Sequence, residues 1–334
     1  MCRGSVRHSA KTTSGRCCNL KDRRVIAGLI LVMVLAVSVG CAGYQNVDLP
    51  DQKIAAEDPD RNVTDHSRRA DKQEAAGQVL NRRLSTLLAG KEDCLSVYIK
   101  PLDDPYTVTI HDVPVKAASM IKLFILAEAF RQDKLGMIRL DEKMPIIGTD
   151  KVGGSGILQN VPDGTRKTLR ELAELMIVES DNTATNILIN VLTMEKINNF
   201  IDSMGLNNTR LQRKMMDFKS AGQGRENYTS AADCGRFLEK LYLGRCVGCE
   251  EDAAMIKILL QQTDNDKIPA GLPTGTAVAH KTGELPDVVH DGGIVYSEKQ
   301  NYILCIMTAN RQDEDTAVRE ISGISQMVYR FFNP

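Results

Sequence analysis

Three short strings in this 334-residue chain carry residue types that do acyl chemistry: Ser119-Met-Ile-Lys122, Ser180-Asp181-Asn182 and Lys281-Thr282-Gly283. They supply a serine nucleophile, two lysines and a second serine as proton carriers, and a glycine at an expected strand edge. A serine hydroxyl is a weak nucleophile until a neighbouring base takes its proton. If Ser119 opens a helix, Lys122 lies one turn on along the same face, within reach of that proton. The helix N-terminus also offers free N–H groups and a favourable dipole to a developing negative charge. The spacing describes a serine acylation site.

The elements that must position these residues are legible around them. The apolar run from Ile121 to Phe130 fits a buried helix, and Pro114, which lacks an N–H, keeps the upstream segment out of it. Residues 168–178 follow an amphipathic pattern that runs straight into Ser180, and helix restarts at Asn182 or Thr183, both good caps. Ordered structure is expected to begin at 76–88, with Val79, Leu80, Leu84, Leu87 and Leu88 apolar. Residues 95–100 and 106–111 read as a hairpin around Asp103-Asp104-Pro105. A long helical and loop region follows, and strands resume at 276–284, 292–296 and 302–309. An amphipathic helix over 316–332 closes the chain, with Val318, Ile321, Ile324, Val328 and Phe331 inward. Strands at both ends around a helical block imply an α/β fold of the α+β type. Its antiparallel sheet is assembled from both ends of the chain and flanked by helices, with a helical insertion.

Each string alone has a plain structural reading as a capped turn or strand end. All three in this order, each on a matching element, resemble the class A β-lactamases within the β-lactamase and penicillin-binding protein superfamily. The likeness runs from about residue 76 to 334 and includes Ser180-Asp-Asn-Thr-Ala-Thr-Asn-Ile-Leu188 and Thr209-Arg-Leu-Gln-Arg213. It implies a five-stranded antiparallel sheet, an all-helical lobe and an active site between them.

The resemblance also implies roles. Ser119 is the expected nucleophile and Lys122 the first candidate for its base; Ser180 relays a proton to the leaving nitrogen. Lys281 holds the substrate carboxylate and biases Ser180, while Thr282 donates a hydrogen bond to that carboxylate. Gly283 keeps the strand edge open to substrate backbone. The N–H groups of Ser119 and Glu284 are the expected oxyanion donors, worth about 3–4 kcal/mol each, and Asn182 is expected to bind the substrate amide. No cofactor and no metal is called for. One departure stands out: Met215 falls where class A enzymes carry the glutamate that activates the deacylating water, and a thioether cannot take a proton. Lys219 falls near where an asparagine helps to hold that water. Asp217 and Glu226 are the nearby carboxylates that a rearranged loop would have to deploy.

A formal net charge of −1 gives no reason to expect a nucleic-acid partner. Residues 1–24 are basic, with Arg3, Arg7, Lys11, Arg16, Lys21, Arg23 and Arg24 against Asp22, and 25–43 are apolar, the order of an export signal. Ser38-Val39-Gly40-Cys41 resembles a lipoprotein cleavage site, with Cys41 lipidated; the alternative is an uncleaved anchor over 25–43. Both readings put the catalytic part outside the cytoplasm and tethered to the membrane. Residues 44–75 read as a solvated linker and 76–334 as the catalytic domain, expected to act as a monomer.

Cys246-Val-Gly-Cys249 has no second metal-binding pair, so a local disulfide or two free thiols are expected, and Cys94 and Cys305 fall on strands that the family fold pairs. His111, His280 and His290 each stand alone, and His280 reads as a strand residue beside Lys281. Gly153-Gly-Ser-Gly-Ile157 resembles a loop lining the family's cleft. The functional expectation is a serine hydrolase that opens β-lactam amides through an acyl-enzyme, with slow deacylation. The alternatives are a peptidoglycan D,D-peptidase (or a related amidohydrolase or esterase) acting on stem peptides, and a non-catalytic β-lactam-binding lipoprotein.

Overall fold

The computed structural model describes residues 63–91, 94–310 and 313–334, all within one compact unit, 54–334. The stretches 1–24 and 25–43, most of the proposed linker, and Cys41 lie outside the described residues.

The strand-forming runs at the two ends of the chain meet in one sheet. Its order is β2 (Val108–Ile110), β1 (Leu95–Pro101), β9 (Tyr302–Thr308), β8 (Val288–Tyr296) and β7 (Ala277–Leu285), every pair antiparallel. All residues of β1, β8 and β9 are buried, because helices cover both faces. One face carries α1 (Val63–Leu87) and α9 (Glu314–Phe332), whose Leu80, Leu84, Ile321 and Val328 share a core with Val97, Ile99 and Leu304. On the other face, α7 (Ala231–Tyr242) packs against Tyr98 through Gly235, where an added Cβ would lie 2.0 Å from the ring.

The helical lobe comprises α2 (Lys122–Lys134), α3 (Leu169–Val178), α4 (Asn182–Leu192), α5 (Met194–Ser203), α6 (Phe218–Gly222) and α8 (Cys249–Leu259). The expected five-stranded sheet with a helical insertion is what the chain forms.

The expectations miss in four places. Helix α1 starts at Val63 rather than Ala76, inside the stretch read as linker; its first turns are polar and carry no apolar stripe. Strand β8 starts at Val288, joined to β7 by the tight turn at Pro286-Asp287. Two small ladders interrupt the region read as helix and loop: β3 (Val115–Lys116) with β6 (Tyr228–Thr229), and β4 (Lys143–Ile146) with β5 (Thr165–Thr168). Along α9, Ile321, Ile324 and Val328 are fully inward with Ala317 and Phe332, while Val318 and Phe331 are only partly buried.

Candidate active site

The position of Ser119, the expected nucleophile, is set by the segment before it. Ala117 N–H donates to Asn227 C=O at 2.7 Å, and His290 Nε2 lies 2.8 Å from Lys116 C=O. Thr308 N–H donates to His290 Nδ1 at 3.1 Å, so Nδ1 is the acceptor and Nε2 carries the proton. Burial holds His290 down at about 4, which keeps it neutral. Ala118 then takes a left-handed φ of +45°, and Ser119 sits in a 3₁₀ turn, Ala118–Ile121, that runs into α2. Ser119 therefore lies one turn ahead of the α-helix, not at its first residue, with Lys122 still following one turn later. The first N–H bond within the turn is Met120 to Ala117 C=O at 2.9 Å, so Ser119 N–H precedes that ladder.

Lys122 is fully buried beneath the nucleophile and reaches it through Ser180. Its Nζ donates to Ser180 C=O at 2.7 Å, Ser180 Oγ at 3.1 Å and Asn182 Oδ1 at 3.0 Å, and Ser180 Oγ lies 2.9 Å from Ser119 Oγ. A left-handed φ of +51° at Ser180 accompanies the delivery of both its oxygens to Lys122. Such backbone costs of order 1–3 kcal/mol and persists only where surrounding contacts over-determine it. Desolvation first, then the Lys281 ammonium, pushes Lys122 well below the ordinary lysine range, with Asp181 opposing. A charged Lys122 spends its protons on those three acceptors, and Ser180 then donates to Ser119. A neutral Lys122 has a free lone pair, so the chain reverses: Ser119 donates to Ser180 and Ser180 to Lys122. Losing one proton at Lys122 thus turns a resting serine into an activated one.

The third string forms the opposite wall. Thr282, Gly283 and Glu284 line a cleft of about 200 Å³ together with Ser119, Ser155 and Ser180. A Cβ on Gly283 would lie 3.1 Å from both Ser119 N and Met120 N, so only glycine lets β7 come this close without displacement. Lys281 is fully buried, absent from the cleft wall, and donates to Thr282 C=O at 2.9 Å. Burial lowers it to about 8. Its field acts on Lys122. Glu284 pairs with the buried Lys267 at 2.6 Å, and Asp264, another cleft residue, bonds the same ammonium at 2.9 Å.

The glycine loop and the second string are interlocked. Asp181, not Asn182 or Thr183, caps α4: its Oδ1 accepts from Ala184 N–H at 2.8 Å and its Oδ2 from Leu158 N–H at 2.8 Å. At Gly156 (φ +105°) a Cβ would fall 2.3 Å from the Asp181 carboxylate. Asn182 Nδ2 donates to Gly153 C=O at 3.1 Å while its Oδ1 holds Lys122, which leaves one amide hydrogen uncommitted.

Met215 is held against α4. Asn186, one turn past Asn182, grips its backbone twice: Met215 N–H to Oδ1 at 2.8 Å and Nδ2 to Met215 C=O at 3.1 Å. Met215 is 7% exposed. The two carboxylates weighed as substitutes are otherwise engaged. Asp217 caps α6 through Ser220 N–H at 3.0 Å and Ser220 Oγ at 2.6 Å, and those bonds lower its pKa. Glu226 forms a bidentate pair with Arg213 at 2.8 and 3.0 Å.

Sequence reasoning passed over Asn186, Asp181 and Glu179, the last an exposed carboxylate on the cleft wall next to Ser180. The four-residue step from Asn182 was the available signal for Asn186. His280 is buried against Asp291 at 2.9 Å. Cys94, Cys234, Cys246 and Cys305 are free thiols. Cys94 and Cys305 do not meet: the register sets Tyr98 opposite Cys305, while Cys94 C=O accepts from Ala309 N–H at 3.0 Å.

Comparison with known proteins matches residues 79–332 to the beta-lactamase enzyme family. Beta-lactamase OXY-1 of Klebsiella oxytoca is 27% identical over 252 residues, covering 74% of this chain and 86% of that protein. The solved structure of PBP-A is 29% identical with a TM-score of 0.71, covering 76% of this chain and 96% of that one. Its L158E mutant, solved as an acyl-enzyme complex with penicillin G, is 28% identical at the same TM-score, covering 77% and 97%. A match over most of the chain, on a fold shared with these proteins, makes this a β-lactamase-like serine hydrolase of class A type: the chain belongs to the beta-lactamase enzyme family.

Proposed function

We propose that this chain opens β-lactam amides through an acyl-enzyme on Ser119 and releases the acyl group slowly. The observation that carries the reading is the contrast between the buried chain Ser119–Ser180–Lys122, held by Asn182 at the start of α4, and the thioether of Met215, held one turn on by Asn186. In acylation, Ser119 Oγ bonds to the lactam carbonyl carbon while its proton passes through Ser180 to neutral Lys122. The N–H groups of Ser119 and Glu284 receive the oxyanion. The C–N bond then breaks, and Ser180 returns the proton to the leaving nitrogen. Thr282 offers its hydroxyl to the substrate carboxylate, Lys281 supplies positive field behind it, and the free hydrogen of Asn182 Nδ2 meets the substrate amide. Deacylation needs a base on a water molecule, and neither Met215 nor the engaged Asp217 and Glu226 supplies one.

A chromogenic cephalosporin and a fluorescent penicillin test this directly. The expected course is a burst equal to the enzyme concentration, then slow turnover, with an adduct mass that Ser119→Ala abolishes. An adduct in that variant would overturn the site assignment. The missing base also suits a second reading, a D,D-peptidase or related amidohydrolase on peptidoglycan stems, which D-alanine release from a stem peptide would reveal. A burst with no turnover of either substrate would instead mark a β-lactam-binding lipoprotein.

We also infer that the enzyme is tethered outside the cytoplasm, since the basic head, apolar run and Gly40-Cys41 junction support export and lipidation. Fatty-acid labelling should be lost in Cys41→Ser, and labelling that survives would favour the uncleaved anchor.

A further inference from the structure

A second concavity lies away from the cleft and shares no lining residue with it. It is a groove of about 620 Å³ between the end of α1 and the middle of α9, within the size range of small-molecule sites. Leu88, Leu95, Ile324 and Met327 give it an apolar lining, and Leu87 is 45% exposed beside them. Among the described residues, Arg82, Arg83, Lys91 and Arg319 stand around this lining with one lining carboxylate, Glu320, and Asp313 lies 3.9 Å from Arg319. Glu320 bonds Lys91 at 2.9 Å, and Arg83 lies 5.5 Å over the Phe331 ring. A chain with a formal net charge of −1 has gathered cations around an open apolar lining here.

Gly323 adds an independent observation. It sits inside α9 and lines the groove, and a Cβ built on it meets nothing within 4 Å. Gly235 and Gly283 are glycines because a neighbour forbids a side chain; Gly323 has no such neighbour, yet it weakens its helix relative to alanine. What it provides is open space in the groove wall.

We propose that this groove binds a single-chain anionic amphiphile, a long-chain fatty-acid carboxylate, with its alkyl chain in the slot and its carboxylate among the rim cations. Apolar lining answers the chain, and the excess of Arg and Lys answers the head group.

The test uses the compact unit 54–334, which carries its own core. Fluorescence titration with cis-parinaric acid, a polyunsaturated fatty acid, should show one site per chain, displaced by oleate and not by dodecylammonium. Gly323→Leu fills the slot and should weaken binding at least tenfold without lowering the melting temperature. The exposed pair Arg82→Glu and Arg319→Glu should weaken it similarly and decides the matter if the glycine variant misfolds. Neither change should alter the β-lactam burst. The proposal is overturned by equal competition from dodecylammonium, or by affinity unchanged in the variants. Binding seen only on phosphatidylglycerol vesicles, with none to monomeric fatty acid, would likewise replace it with a membrane contact.

Discussion

Two walls packed on α4, one at Asn182 and one at Asn186, are built to similar standards and equipped differently. On one, Ser119, Ser180 and Lys122 form a continuous chain of titratable or hydroxyl groups, anchored by His290 and Asn182. On the other, Asn186 fixes the backbone of Met215 with two hydrogen bonds, and Arg213, Glu226 and Asn227 brace the loop behind it. The second wall is as firmly held as the first, yet its thioether cannot accept a proton and its carboxylate, Glu226, is committed to Arg213. A loop can keep its path through amide and ion-pair contacts alone, so scaffold and chemistry are separable here. Three of the left-handed non-glycine residues fall here: Ala118 and Ser180 in the first wall, and Met216 next to Met215 in the second.

Breaking the first wall should have the largest effect. Lys122→Met and Ser180→Ala each remove a link in the proton chain, so acylation should slow by about 10²–10⁴-fold, read as the burst rate with a chromogenic cephalosporin. Because Lys122 must be neutral, the burst rate should fall as pH drops through its depressed titration. Lys281→Gln removes the second cause of that depression and should move this acid limb to higher pH. A pH-independent burst rate in the wild type would mean that Lys122 is not the base.

The second wall is probed by supplying what it lacks. Met215→Glu places a carboxylate on a backbone already held by Asn186, and the slow phase should accelerate by about tenfold or more, with the burst unchanged. Desolvation of the new carboxylate raises its pKa, so the gain should grow as pH rises. Unchanged deacylation would show that loop path and water position do not coincide, and the separability argument would fail.

The helical turn that carries Ser119 and Lys122, the string at Ser180 ahead of its helix and the Lys-Thr-Gly strand were legible because spacing along a helix or strand is local information. So were the sheet and the terminal helices, whose apolar periodicity survives in the chain. What failed to show was contact between distant segments. His290 stands alone in the sequence, and only the pairing of β8 with β9 and the closeness of β3 reveal its two partners. Asp181 looked less like a cap than Asn182 because the loop bond to Leu158 that pins it lies 23 residues away. Lys281 was assigned to the substrate by resemblance, and its burial behind Thr282 depends on packing that no local pattern encodes. The start of α1 at Val63 was missed for the opposite reason: the sequence of those turns is polar and offers no apolar period to read.

A smaller effect separates the walls by acid. His290 has a folded pKa of about 4 against an ordinary value near 6.5. The unfolded chain therefore binds the proton first, so its contribution is complete above about pH 6.5 and is lost as pH falls toward 4. At pH 5 the loss should be roughly 2 kcal/mol. His290→Gln should be less stable at neutral pH and should flatten this slope, as read by urea unfolding at several pH values. Its activity loss should fall on the burst, since His290 holds Lys116 on the nucleophile side, and the slow phase should be spared. A slope that persists in the variant would assign the acid sensitivity to other groups.

The smallest effect is the sharpest check on the second wall. Asp217 is the carboxylate next in line if the loop has found another base, and the structure commits it to capping α6. Asparagine caps a helix about as well as aspartate, so Asp217→Asn should cost little stability, on the order of a few tenths of a kcal/mol. What it removes is the ability to accept a proton from water. If Asp217 only caps, the slow phase of β-lactam turnover should change by less than about twofold, far below the 10²–10⁴-fold worth of a general base. A fall of tenfold or more with an unchanged burst would make Asp217 the deacylating base. The second wall would then carry chemistry after all, and Met215 would mark a relocation of the base rather than its loss.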